Sequence, residues 1–312
     1  MIEVISPGAM TMIQDLGRFG LQEYGFSPCG AADYRAMIQA NALVGNTKGE
    51  GVIEFTVSGG MFKFHEKCVI AICGADMDCK VNQTRCEQDT VVSIESGDIL
   101  QMGFAKEGCR SYLAVAGGFM LPGIFGSVST DRKCGLGGIE GRPFKTGDRL
   151  ILKHAVAMGA GKSMPIRKTK HDKPIVVRVV MGPQEEYFTK HGIETFLGST
   201  YCISNDSNRM ACKLNGGTIE TKQGSDIISD GIAPGSIQVA GNGLPMVMMA
   251  DRQTVGGYAK IATVITADLP VLAQCRPKDE VRFLKVSYQK AVSIYKKEQK
   301  QINKVFHETG GN

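Results

Sequence analysis

Short apolar runs punctuated by turn residues constrain the fold of this chain more than any other feature. Residues 69–72, 91–94, 99–102, 112–116, 150–152, 175–180, 237–239, 246–249 and 281–284 are such runs. They are too short for stable helices and carry the β-branched content of strands. With 39 glycines in 312 residues, sharp turns are available throughout. The pattern predicts a mainly β protein built of antiparallel sheets or barrels, because alternating β and α units need long helical stretches between strands.

Helices are expected in four places. Asp33 has the chemistry of an N-cap before a stripe of Met37, Ala40, Leu43 and Val44, with Gly45 ending the helix. A second helix is expected after Pro183, through Glu185 to His191. A third begins at Asp268, read as its cap, with Pro270 in the first turn. Tyr288, Ala291, Tyr295, Ile302, Val305 and Phe306 recur at helical spacing, which predicts an amphipathic C-terminal helix covering its own domain.

The strand before Gly117-Gly118 and the strand before Gly256-Gly257 share one design: an apolar run preceded by a turn and another strand. This hints at internal duplication, two halves on one β plan. The expected division is residues 1–154, a connector at 155–174 rich in Gly, Pro and basic residues, and 175–312 with the terminal helix. Gly161-Lys162-Ser163 in the connector is only a fragment of a phosphate loop: Val156 stands where the first glycine is required, and Pro165 interrupts the following helix.

Composition excludes several classes. No apolar run is long enough to span a bilayer, and Asp15 and Arg18 interrupt any leader pattern, so the cytoplasm is the default. The net charge of +5 is concentrated near 162–173 and 285–304 without interleaved stacking aromatics, which argues against nucleic acid. The ten cysteines include no Cys-x-x-Cys, and none of the five histidines lies at finger spacing, so no metal site is expected. The spacing also argues against disulfides, and buried reduced thiols are the expectation. Cys68 and Cys73, at odd separation in one strand, should face opposite ways.

The polar clusters carry the functional reading. Residues 245–249 read as a buried strand, followed at once by Asp251, Arg252, Gln253, Thr254 and the Gly256-Gly257 pair, with Tyr258 and Lys260 beyond. Such groups are costly to bury unless they pair with each other or with a ligand. The glycine pair would let the backbone turn sharply. A binding site and a structural Asp–Arg pair both fit this segment. Gln14, Asp15 and Arg18 among glycines, the row Ser127, Ser129, Thr130 and Asp131, the flexible 135–142 segment, and Ser207, Asn208 and Arg209 have the same character. Each alone is ordinary turn chemistry. Together they point to a large polar pocket.

At these residues the chain resembles the subunit 2 family of allophanate hydrolase, also described as carboxyltransferase subdomains A and B. The matching segments are 11–20, 30–33, 43–46, 112–118, 126–131, 137–148, 182–184, 207–210 and 249–258, in family order. The resemblance implies two cyclophilin-like β-barrel domains with a few short helices. It also implies an ATP-dependent enzyme component working on a small amide or lactam, such as 5-oxoproline, urea or allophanate. ATP would act through an assembled complex and biotin would ride on a partner protein. The partners would be a subunit 1 homologue with subdomains C and D and a third subunit. A regulatory protein antagonising a kinase inhibitor is the alternative on the same scaffold.

Read onto this sequence, Asp251, Gln253, Arg252 and Asp15 become candidate catalytic residues. Arg252, Gln253 and Arg209 would supply donors to a developing oxyanion, and Asp251 and Asp15 would orient them or move protons. Gln14, Arg18, Ser129, Thr130, Ser207, Arg209, Thr254, Tyr258 and Lys260 become candidate substrate contacts. The chain departs from the family pattern at Asn208, where an Asp is expected, so a base role there is not carried over.

Overall fold

The computed structural model describes residues 1–153 and 173–309, and the connector read at 155–174 lies outside them but for its last two residues. The described residues form two compact units: Met1–Arg18 with 29–153 and 300–309, and Phe19–Pro28 with 173–299. A split at the connector alone therefore misses two exchanges, at 19–28 and at the chain's end.

In the first unit two sheets enclose a core. One runs in the order Arg149–Leu150, Ile2–Ser6, Met61–Phe64, Ile99–Gln101, Lys80–Val81, Thr84–Arg85. The other runs Met10–Gln14, Val52–Thr56, Glu107–Val115, Cys68–Asp76, Val91–Ile94. Between them pack Ile2, Val4, Phe62, Phe64 and Leu100 from the first and Ile13, Phe55, Ile70, Ile72 and Leu113 from the second. Helix α1 (Tyr34–Leu43) and the side chains of Ile302, Val305 and Phe306 cover the second sheet's other face through Ala71, Cys73, Tyr112 and Ala114. Burial on both faces explains why 69–72 and 112–116 read as unbroken apolar runs. Cys68 packs toward one core and Cys73 toward the other, as their odd separation requires.

The second unit contains a closed seven-stranded barrel in the order Ile175–Met181, Lys260–Val264, Ser236–Val239, Pro245–Met248, Ala211–Asn215, Tyr201–Ile203, Glu280–Lys285. The ring is shut by parallel pairing of 175–179 with 281–285. Val177, Val179, Ile237, Val239, Val247 and Ala262 are fully buried at alternate positions. Closure leaves the barrel without a free edge. A two-stranded ribbon, Asp226–Gly231 with Val255–Tyr258, accompanies it. The mainly β reading with few helices describes the molecule. The two halves differ in strand pairing: 236–239 and 245–248 are neighbours in the barrel, whereas 99–101 and 107–115 lie in different sheets.

The Asp33 side chain caps α1 by accepting from Ala36 N at 3.1 Å. The segment expected from 185 to 191 is instead a short 3-10 turn (Glu185–Tyr187) and then α2 (Lys190–Gly198), capped by Thr189. Asp268 does not cap α3 (Leu269–Ala273). Its carboxylate accepts from Arg178 N at 2.8 Å and Arg178 Nε at 2.9 Å, a stronger charged partner than the helix offers. Helix α4 spans Tyr288–Thr309. Disulfides were not expected, yet Cys79 and Cys86 are bonded, with Cα atoms 5.6 Å apart. The hairpin of Lys80–Val81 and Thr84–Arg85 brings them opposite each other, which linear spacing does not reveal. The glycine pair at 256–257 is a further correction, since it lies within a ribbon strand and makes no turn.

Candidate functional site

Two polar clusters account for the predicted site residues, one in each unit. In the first unit, strand Met10–Gln14 delivers its last residue and the following turn to the 127–131 segment. Gln14, Arg18, Ser129 and Thr130 are at most 1% exposed. Asp15 Oδ1 accepts from Gly17 N at 2.7 Å, Ser127 Oγ at 2.7 Å and Ser129 Oγ at 2.5 Å, and Asp15 Oδ2 accepts from Val128 N at 2.7 Å. A carboxylate so engaged is a scaffold: its acceptor sites are filled by the loop that it holds. The role of free base, read for Asp15 in the sequence, does not fit this geometry.

The same segment fixes its neighbours. Gln14 Nε2 donates to Thr130 O at 3.3 Å, and Arg18 Nη2 donates to Ser129 O at 2.8 Å. Arg18 Nε reaches Ile124 O at 3.4 Å. Four polar atoms in or beside this segment are buried without a hydrogen-bond partner: Gln14 Oε1, Arg18 Nη1, Thr130 Oγ1 and Asp131 Oδ2. Each orphan costs about 1–3 kcal/mol unless another molecule satisfies it. Gly137 and Gly138 bring backbone close: a Cβ on Gly137 would stand 2.0 Å from Ser129 O, and one on Gly138 would stand 2.1 Å from Thr130 Oγ1.

In the second unit, the residues divide between a corner and the ribbon. Arg209 Nε and Nη2 donate to Asp251 Oδ2 and Oδ1 at 2.9 and 2.8 Å, a bidentate pair with Arg209 6% exposed. Asp251 N donates back to Arg209 O at 3.0 Å. A carboxylate gripped on both oxygens by one guanidinium holds this corner in a fixed geometry. Ser207 Oγ closes a turn with Lys213 O and Lys213 N, and Asn208 Oδ1 accepts from Met210 N and Ala211 N. Both are occupied by turn chemistry.

Along the ribbon, Arg252 Nε donates to Ile232 O at 3.0 Å, and Thr254 O accepts from Ile232 N at 2.9 Å. Ser27 Oγ donates to Arg252 O at 2.6 Å, tying the 19–28 excursion to this corner. Lys260 is buried, and its Nζ donates to Asp230 Oδ2 at 2.8 Å. That hydrogen bond leads the causes that hold the Asp230 carboxyl below its usual range. Gln238 lies opposite Lys260 in the barrel register and donates to Tyr258 O at 3.2 Å, leaving its Oε1 without a partner. A Cβ on Gly256 would meet Ile232 Cδ1 at 2.7 Å, Gln253 Nε2 at 2.9 Å and Gln238 Nε2 at 3.0 Å, so the glycine makes room for one apolar side chain and both amides. Gln238, Asp230 and Gln184, whose Oε1 accepts from Lys260 N at 3.1 Å and whose Nε2 donates to Asp230 Oδ2 at 3.3 Å, were not among the predicted residues. Gln238 was hidden in a strand that reads as core.

The carboxyltransferase domain, subdomain A and B, matches residues 24–285. The chain belongs to that family. It is 34% identical over 311 residues to the C-type subunit of the 5-oxoprolinase of Haemophilus influenzae, covering 98% of this chain and 97% of that protein. The C-type 5-oxoprolinase subunit of Escherichia coli matches at 34% over 316 residues, with the same coverage. The urea amidolyase of Saccharomyces cerevisiae is 30% identical over 94% of this chain, which corresponds to 17% of that larger protein. The solved urea carboxylase of Kluyveromyces lactis superposes with a TM-score of 0.89 at 28% identity, covering all of this chain and 29% of that one.

As a member of the carboxyltransferase subdomain A and B family, the chain is related to components of enzymes. Gln14 and Asp15 stand at the end of a strand, where that position meets the 127–131 segment across the unit. Among the described residues, no group of three or more His, Cys, Asp or Glu side chains is arranged to hold a metal. No described helix is long and apolar enough to cross a membrane.

Proposed function

We propose that this chain is the C-type subunit of an ATP-dependent 5-oxoprolinase, which opens the lactam of 5-oxoproline to glutamate with ATP hydrolysis. The match to two C-type 5-oxoprolinase subunits, over nearly the full length of both, carries this reading. The urea enzymes match only through a fraction of their length. All these relatives are components of enzymes, which favours catalysis over the regulatory alternative. In this reading the chain works with a subunit 1 homologue supplying subdomains C and D and with a third subunit, in the cytoplasm. ATP enters through that assembly, and biotin, where used, rides on a partner.

Gln14 and Arg18 face the substrate, and Asp15 positions them through Ser127 and Ser129. Gln238, Gln253 and Lys260 form a polar cluster of the second unit's own. Lactam opening needs donors at the carbonyl oxygen and a proton for the departing nitrogen. Arg18 is suited to the first task, since a buried guanidinium is a fixed donor in low dielectric. The test is substrate choice: the chain, mixed with its partner subunits and ATP, is offered 5-oxoproline, urea or allophanate. Glutamate from 5-oxoproline alone is expected. Turnover of urea or allophanate in its place would assign the chain to the other branch of the family.

A further inference from the structure

Four of the first unit's buried polar atoms without a hydrogen-bond partner belong to or flank the 129–131 segment, and three of them constrain what could bind there. Gln14 Oε1 and Asp131 Oδ2 are acceptors without donors, and Arg18 Nη1 is a donor without an acceptor. All three flank residues 129–131, since Gln14 is tied to Thr130 O, Arg18 to Ser129 O, and Asp131 is the next residue. Thr130 Oγ1 also lacks a partner, and as a hydroxyl it can either donate or accept, so it does not discriminate between ligands. The missing group must therefore accept at one point and donate at one or two others.

A carboxylate supplies no donor and would face the acceptor oxygens of Gln14 and Asp131. Charge argues the same way: Asp15 and Asp131 already stand in this cluster with Arg18, so a further anion is not required. An ammonium supplies no acceptor. An amide or ureido group carries C=O and N–H side by side and satisfies both kinds of orphan. We infer that the Gln14–Arg18–Asp131 cluster is a recognition site for a cyclic amide N–H/C=O pair, as in a lactam or a cyclic urea. Arg18 Nη1 takes the carbonyl, and Gln14 Oε1 or Asp131 Oδ2 takes the N–H. The inference deepens the oxoprolinase reading and rests on it: it assigns the lactam of 5-oxoproline, and not its carboxylate, to this cluster.

Cys134 provides a readout separate from turnover. It is exposed, unlike the other free cysteines, and Asp131 Oδ1 accepts from its backbone N at 3.1 Å. Desolvation, the adjacent Asp131 carboxylate and a hydrogen bond from the thiol to that carboxylate raise its pKa, so alkylation is followed at alkaline pH. The full chain is alkylated in the presence of 2-pyrrolidinone, 2-imidazolidinone, N-methyl-2-pyrrolidinone or cyclopentanecarboxylate. Pyrrolidinone, imidazolidinone or both should protect Cys134, and which of them does so separates a lactam from a urea ligand. N-methylation should weaken pyrrolidinone at least tenfold, and the carboxylate should not protect at matched concentration.

Asp131→Asn sharpens the test. Its oxygen stays at the Oδ1 position, pinned by Lys133 N and Cys134 N, so an NH2 donor replaces the Oδ2 acceptor. Gln14→Met removes the other acceptor. The preference for N–H over N-methyl should fall to within about twofold in the variant that has lost the acceptor of the N–H and survive in the other, by the logic of a double-mutant cycle. Equal protection by cyclopentanecarboxylate would make this an anion site. Protection by none of the probes would mean that internal water alone satisfies the orphans. Either result overturns the inference, as does an unchanged preference in both variants. If the assembled enzyme releases glutamate while no probe protects, this assignment alone fails; if probes protect without turnover, the oxoprolinase reading fails.

Discussion

Asp15→Asn separates a scaffold carboxylate from a catalytic base. In the structure Asp15 Oδ1 receives three donors and Oδ2 receives Val128 N. An asparagine keeps an acceptor at Oδ1, where most donors converge, and so turns its NH2 toward Val128 N–H. One hydrogen bond to a charged acceptor is lost, worth about 1.5–3 kcal/mol, and a buried backbone donor is stranded at about 1–3 kcal/mol. The two overlap in part, since they concern one contact, and about 3 kcal/mol is expected in sum. For a unit of this size that corresponds to a melting temperature lower by roughly 6–12 °C. Differential scanning calorimetry of the isolated chain measures it without any need for activity. A melting temperature unchanged within about 1 °C would show that Asp15 is not holding the 127–129 loop, and the base role would return.

Three further outcomes follow from particular contacts. Arg142 grips Asp148 through both guanidinium nitrogens, at 2.7 and 3.0 Å, and this is the first cause of a carboxyl pKa held below its usual value. Because the folded pKa is depressed, the pair's stabilisation is complete above the unfolded carboxylate range and is lost as pH falls through the folded value. Asp148→Asn should therefore cost about 1–3 kcal/mol at pH 7 and converge on the wild type toward pH 2, by urea titration at each pH. Gly256→Ala should displace Gln253 and Gln238 and lower turnover of the assembled enzyme at least tenfold, while the melting temperature falls by only a few degrees; wild-type kinetics would remove both glutamines from the site. Cys79→Ser should cost about 2.5 kcal/mol from the seven-residue separation the disulfide closes, read as a lower urea midpoint that reductant reproduces in the wild type.

Much of the fold was legible because its strands announce themselves by burial. Runs at 69–72 and 112–116 belong to strands buried deeply enough to be apolar without interruption. Two strands that carry buried polar residues were not legible. Met10–Gln14 and Val52–Thr56 contain Thr11, Gln14 and Glu54, all at most 1% exposed, and these break the apolar signal at the places where the chain builds its networks. Glu54 accepts from Tyr112 OH at 2.9 Å and Ala32 N at 3.0 Å, contacts that only the folded sheet creates. The site was legible as residue types but not as roles. Gln14, Asp15, Arg18, Ser129 and Thr130 do converge, whereas Ser207 serves a turn and Asp251 an internal pair with Arg209. Hydroxyl, amide and carboxylate groups suit turns and ligands equally well, and three-dimensional partners decide between them.

The decisive measurement is kcat/KM for 5-oxoproline in the fully assembled, ATP-supplied enzyme containing Arg18→Lys. Lysine keeps the charge but cannot place a donor where Nη1 stands while also holding Ser129 O. A fall of at least thirtyfold is expected, with a melting temperature within a few degrees of the wild type. Catalysis within twofold of the wild type would show that the substrate is recognised elsewhere.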